Sequence, residues 1–79
     1  MERLGDLVES ISKRLVDNPD EVKVKIVAST TTIVIELHVA KEDLGKVIGK
    51  EGKTAKAIRT LLNAASAKDN KRVILEIVE

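Results

Sequence analysis

Gly45-Lys46-Val47-Ile48-Gly49-Lys50-Glu51-Gly52-Lys53 lies between two stretches of helical pattern. Gly49 and Gly52 bracket two charged residues, and the apolar pair Val47-Ile48 precedes them. Lacking a Cβ, these glycines let the main chain turn sharply and come close to a partner. The amides that open the following helix point outward with the positive end of its dipole, which suits a phosphate. Lys46, Lys50, Lys53, Lys56 and Arg59 crowd positive charge around the same spot. Together these features suit the backbone of a nucleic acid.

Working outward from this loop, a longer helix is expected from about Lys53 to Ala67, broken by Asp69-Asn70, and a short one over Lys41 to Ile48. Near the N-terminus, Leu4, Leu7, Val8, Ile11 and Leu15 recur at helical spacing and predict an amphipathic helix over 2–17, ended by Asp17-Asn18-Pro19. Val22, Val24 and Ile26 alternate with Lys23 and Lys25, the pattern of a half-buried strand. Ser29 to Thr32 supply a turn, after which Ile33, Ile35, Leu37 and Val39 alternate with Val34, Glu36 and His38. Val73, Leu75 and Ile77 alternate with Ile74, Glu76 and Val78 in a last strand. The order α-β-β-α-α-β predicts an α+β fold with three helices on one face of a three-stranded mixed sheet. The tight turn makes the first two strands antiparallel, and the two-helix crossover makes the last pair parallel. Odd-numbered apolar positions of the second and third strands are expected to face the helices.

Seventy-nine residues, 43% apolar and 34% charged, suit one small globular domain spanning 1–79 rather than a disordered chain. No linker, repeat or low-complexity segment interrupts it. There is no cysteine, hence no disulfide or thiolate metal site, which fits a reducing cytoplasm. The N-terminal residues lack a signal peptide's apolar core, and no apolar run approaches the ~18 residues a membrane span needs. Net charge is only +1, but its distribution is uneven. Residues 1–21 hold three bases against six acids (−3), whereas residues 46–59 hold five bases against Glu51 alone (+4). Spaced lysines more commonly mean a solvated helix face; beside a Gly-x-x-Gly loop they point to an anion.

Val47-Ile48-Gly49-Lys50-Glu51-Gly52 between two helices, inside a β-α-α-β core with an extra helix and strand in front, resembles a type II KH domain. Asp43-Leu44-Gly45-Lys46-Val47-Ile48-Gly49-Lys50 followed by Gly52-Lys53-Thr54-Ala55-Lys56-Ala57-Ile58-Arg59 is similar to the stand-alone bacterial KH proteins of the KhpA type. The resemblance extends over essentially the whole chain. It implies non-catalytic binding of single-stranded RNA in the cytoplasm, with Gly49, Lys50, Glu51 and Gly52 as the phosphate clamp. Val47 and Ile48, with Ala55 and Ile58, would floor or support a groove for bases, and Lys46, Lys53, Lys56 and Arg59 would contact or steer the backbone. It further implies help with RNA refolding, a second KH-containing protein as partner, and in some relatives a link to cell shape and division. Glu51 departs from the basic residues frequent in such loops and should weaken phosphate attraction. The chain has no Phe, Trp or Tyr, so bases have no aromatic platform and must lie on aliphatic side chains. That composition excludes an RRM and is compatible with a KH groove.

Enzymatic readings find little support. Gly52-Lys53-Thr54 mimics the end of a P-loop, but Val47 stands where its first glycine belongs and a helix precedes the loop. His38, the single histidine, reads as a surface residue beside Glu36, without the further ligands a metal needs. Glu42 and Asp43 read as helix N-terminal acids favoured by the dipole. No cofactor, metal or small-molecule substrate is implied. The competing function class is a KH-fold interaction or scaffolding domain with negligible RNA binding. On a helical wheel Ala55, Ile58, Leu62 and Ala65 form the stripe that packs on the sheet, and Ala57, Leu61 and Ala64 a second stripe about 100° away. Either that second stripe is a seam for a homodimer or heterodimer, or the first helix covers it.

Overall fold

Period-two alternation becomes a sheet with one apolar face. A computed structural model gives the structure of residues 2–67 and 70–78. Its elements are α1 (Glu2–Leu15), β1 (Lys23–Ala28), β2 (Thr32–His38), α2 (Leu44–Ile48), α3 (Lys53–Ser66) and β3 (Arg72–Val78). Single 3-10 turns at Pro19–Glu21, Lys41–Asp43 and Lys50–Gly52 join them. The sheet order is β1-β2-β3, with β1 antiparallel and β3 parallel to β2. This is the expected α+β arrangement, with the helices on one face of a mixed sheet.

The odd-numbered side chains carry the core. Ile33, Ile35 and Leu37 of β2 are fully buried, and Val73 and Leu75 of β3 lie beside them at matched register. Full burial of each Ile or Leu contributes roughly 1.5–3 kcal/mol, and the central strand contributes three. From the helices, Leu4, Val8, Val47, Ile58 and Leu62 meet the same layer. On β1 burial fades along the strand: Val24 is half-buried and Ile26 is 36% exposed. β1 is an edge strand lying beneath α1, which comes so close that a Cβ on Gly5 would stand 2.5 Å from Ile26 Cδ1.

The helices differ from the wheel in detail. α1 ends at Leu15, although Val16 N–H still donates to Ser12 O. Its core face runs through Leu4, Val8, Ser12 and Val16, while Leu7 and Leu15 are exposed. A serine thus sits in the apolar layer, its buried hydroxyl without a partner among the described residues. On α3 the buried stripe is Ala55, Ile58, Leu62 and Ser66, and Ala65 faces outward. Leu61 is 54% exposed and Ala57 and Ala64 are exposed, so α1 does not cover the second stripe. After α3, Asn70 takes a left-handed φ of 55° that ends the helical path. Asp69, the other half of the expected stop, lies outside the described residues.

Candidate nucleic-acid interface

The glycine loop is built from both ends. Gly49 N–H donates the last bond of α2 to Gly45 O (2.9 Å), and Gly52 N–H closes the turn onto Gly49 O (3.1 Å). Gly49 takes φ 78°, ψ 172°, a region that only glycine enters without strain. Its missing Cβ has a second reason, because that atom would stand 2.6 Å from Thr54 Cβ and 2.9 Å from Thr54 N. Gly52 is left-handed at φ 73°, with open space around it, so its glycine answers to φ alone. Between them Glu51 is also left-handed, at φ 58°, ψ 26°. For a residue with a Cβ this conformation costs about 1–2 kcal/mol, and it turns the loop's tip outward.

Positive charge around the loop divides into two groups. Lys50, Lys53 and Lys56 are exposed and enter no ion pair among the described residues. Lys46 instead reaches Asp17 Oδ2 at 3.1 Å, and that hydrogen bond, with the charge of Asp17, pushes its ammonium up. Arg59 Nη2 donates to Leu75 O of β3 at 3.3 Å. The structure therefore presents three uncommitted lysines beside the turn, with Lys46 and Arg59 tied at its margins. Of the apolar residues, Val47, Ala55 and Ile58 are buried and support the loop from within. Ile48, 40% exposed, is the one that reaches the surface. No enclosed cavity forms among the described residues, so the site is an open ledge.

Below the ledge is a contact that helical pattern does not foretell. Asp43 makes no side-chain bond to its own helix; its carboxylate is buried and faces the α1–β1 connection. There it accepts hydrogen bonds from Asp17 N (3.3 Å), Asn18 N (3.0 Å) and Asn18 Nδ2 (3.0 Å). Burial pushes this carboxyl up, but the three bonds and the nearby Lys46 outweigh it and hold it below the usual carboxylate range. Asp43 thus clasps a distant loop, where the dipole alone had been its expected role. Glu42 joins through Asn18 Nδ2 at 3.3 Å. The partners stand 24 to 26 residues apart, so no local pattern signals the clasp. His38 Nε2 lies 3.6 Å from Glu36 Oε1 on the outer sheet face, and no three possible metal ligands gather among the described residues.

Comparison with known proteins places this geometry in a family. A family model described as "KhpA/KhpB, KH domain" matches residues 5–77. The chain belongs to the KhpA/KhpB KH-domain family. It is 57% identical over 75 residues to a protein of Caldanaerobacter subterraneus subsp. tengcongensis named RNA-binding protein KhpA, covering 95% of this chain and 100% of that one. A protein of the same name from Clostridium acetobutylicum is 58% identical over the same shares. The one from Aquifex aeolicus is 52% identical over all of both chains. Among solved structures, Aquifex aeolicus Era bound to GDP.AlF4- superposes with TM-score 0.63 at 22% identity, over 94% of this chain and 29% of that one. Era in complex with MgGDPNP and nucleotides 1506–1542 of 16S ribosomal RNA gives 0.57 at 24%, over 94% and 28%. At that identity the two structures share the fold with this chain.

Proposed function

We propose that the chain is a non-catalytic, single-domain binder of single-stranded RNA that grips the backbone at Gly49–Gly52. The observation that carries this reading is the pair of left-handed residues at the loop's tip beside the uncommitted Lys50, Lys53 and Lys56. It is supported by relatives of nearly full coverage that bear the name RNA-binding protein. The loop offers main-chain amides and mobile ammonium groups to phosphate oxygens, while Ile48 gives a base an aliphatic surface. With no aromatic side chain in the sequence, stacking contributes nothing, and the open ledge makes affinity modest and salt-sensitive. In the cell the proposal is a cytoplasmic RNA chaperone working with a second KH protein, with a link to cell shape and division on the strength of the family resemblance.

Replacing Lys50→Asp and Glu51→Asp together tests the clamp. Both side chains are exposed, so circular dichroism should stay unchanged while binding of single-stranded RNA is abolished. Unaltered affinity would remove the clamp and favour the scaffolding class. Ala57, Leu61 and Ala64, uncovered by α1, are proposed as the seam for a homodimer or for the KH partner. Small residues flanking one leucine let two helices approach closely about a two-fold axis. Leu61→Lys should convert a dimer into a folded monomer in light scattering; a wild-type chain that stays monomeric at high micromolar concentration and captures no KH partner would defeat it.

A further inference from the structure

We propose that Thr54 is a positioning residue for the clamp: its side chain fills the space vacated by the Cβ of Gly49 and so sets the height and direction of the Lys50–Glu51 tip. The proposal rests on the RNA-binding reading above. Its evidence is steric. A Cβ built on Gly49 would collide with Thr54 Oγ1 and lie 2.6 Å from Thr54 Cβ. Thr54 therefore packs directly on the Gly49 main chain from the first turn of α3. The hydrogen bonds around the loop, Gly49 N–H to Gly45 O and Gly52 N–H to Gly49 O, fasten it to α2 and to itself. Thr54 is the side chain that reaches back from α3 onto Gly49. Being β-branched, it has few rotamers in a helix and makes a stiff wedge.

Several hydroxyls of the molecule are held by hydrogen bonds, and that of Thr54 is not among them. Thr60 Oγ1 and Ser66 Oγ return hydrogen bonds to carbonyls of α3, and Ser29 Oγ bonds Thr32 across the hairpin turn. Thr54 is half-buried and makes no side-chain hydrogen bond among the described residues; what ties it to the loop is its packing on Gly49. Gly49 without that wedge regains the wide conformational range of a glycine. RNA must then restrain the loop on binding, and the ordering cost appears as lost affinity.

Four proteins decide it: wild type and the variants Thr54→Ala, Thr54→Val and Thr54→Ser, each titrated with single-stranded RNA and each followed by amide hydrogen exchange. Thr54→Ala should weaken binding about three- to tenfold, the range that restraining one mobile group produces. Because alanine is the better helix former, its melting temperature should not fall. Its Gly49 and Gly52 amides, the two that hydrogen bonds hold around the loop, should exchange faster while Ile35 and Leu75 stay unchanged. Thr54→Val keeps the β-branched shape and should bind within about twofold of wild type, with Thr54→Ser between the two. Unchanged affinity and exchange in Thr54→Ala overturns the proposal. So does a Thr54→Val protein as weak as Thr54→Ala beside a normal Thr54→Ser, which would make the hydroxyl a direct RNA contact. Failure of the RNA reading looks different: wild type does not bind, or the Lys50→Asp, Glu51→Asp protein binds as wild type does. The exchange rates then still decide whether Thr54 holds the loop.

Discussion

The two ends of the loop-bearing unit are built on opposite principles. At its base, beside the start of α2, the Asp43 carboxylate is buried and saturated by three donors from the α1–β1 connection. At its tip, Lys50 and Glu51 are exposed, Glu51 is left-handed, and neither makes a side-chain hydrogen bond or ion pair among the described residues. A buried charge is tolerated only when its hydrogen bonds are complete, so the base tolerates little change. An exposed tip with unspent donors is free to meet an external anion. Stability and binding should therefore respond to different substitutions only a few residues apart.

The largest separation is expected at the base. Asp43→Ala leaves the Asp17 and Asn18 amides and the Asn18 side chain without their acceptor, and thermal unfolding should show a clear drop in melting temperature. The Lys50→Asp, Glu51→Asp protein should melt with the wild type, so equal melting of all three would erase the contrast. The same carboxylate sets an acid limit. Its folded pKa lies below the unfolded value of ~3.9, so the clasp stabilises the fold above that value and loses its contribution as pH falls through the lower folded one. In Asp43→Asn, melting temperature followed below about pH 4 should decline less steeply than in wild type. A parallel decline would place the acid sensitivity elsewhere.

A smaller effect is expected where the two ends meet, at the Asp17–Lys46 ion pair. Both partners are substantially exposed, so the pair itself is weak. Asp17→Asn should release Lys46 toward RNA, raising affinity about twofold, because exposed pairs exert only modest control. If Lys50, Lys53 and Lys56 neutralise three phosphates, log affinity falls with log salt at roughly −2, and the variant's slope should steepen by about 0.7. An unchanged slope in salt titrations would assign Lys46 to the base alone.

Much of this molecule was legible before its structure. Strict alternation at Ile33, Ile35 and Leu37 foretold a strand with one buried face, and the burial follows it residue by residue. The hairpin turn and the two-helix crossover foretold one antiparallel and one parallel pairing. The glycine loop was legible because φ near +75° at Gly49 and Gly52 is a demand that main-chain sterics place on residue type. Helix faces were less so. A wheel ranks the residues of α1 by apolarity and so favours Leu7 and Leu15, whereas the core turned to Ser12 and Val16.

What the sequence by itself determined, then, is the order and kind of elements and the position of the loop, all set by interactions between residues close along the chain. Only the tertiary structure decided which lysines are uncommitted and which acid is buried. Lys46 was bound to Asp17, Arg59 to Leu75 O, and Asp43 to Asn18 by contacts between segments far apart in the chain. It likewise left Leu61 in the open by laying α1 elsewhere on the sheet. The physical reason is range: periodicity and backbone sterics act over a few residues, whereas the partner of a charge is whatever the folded chain brings within about 3 Å of it.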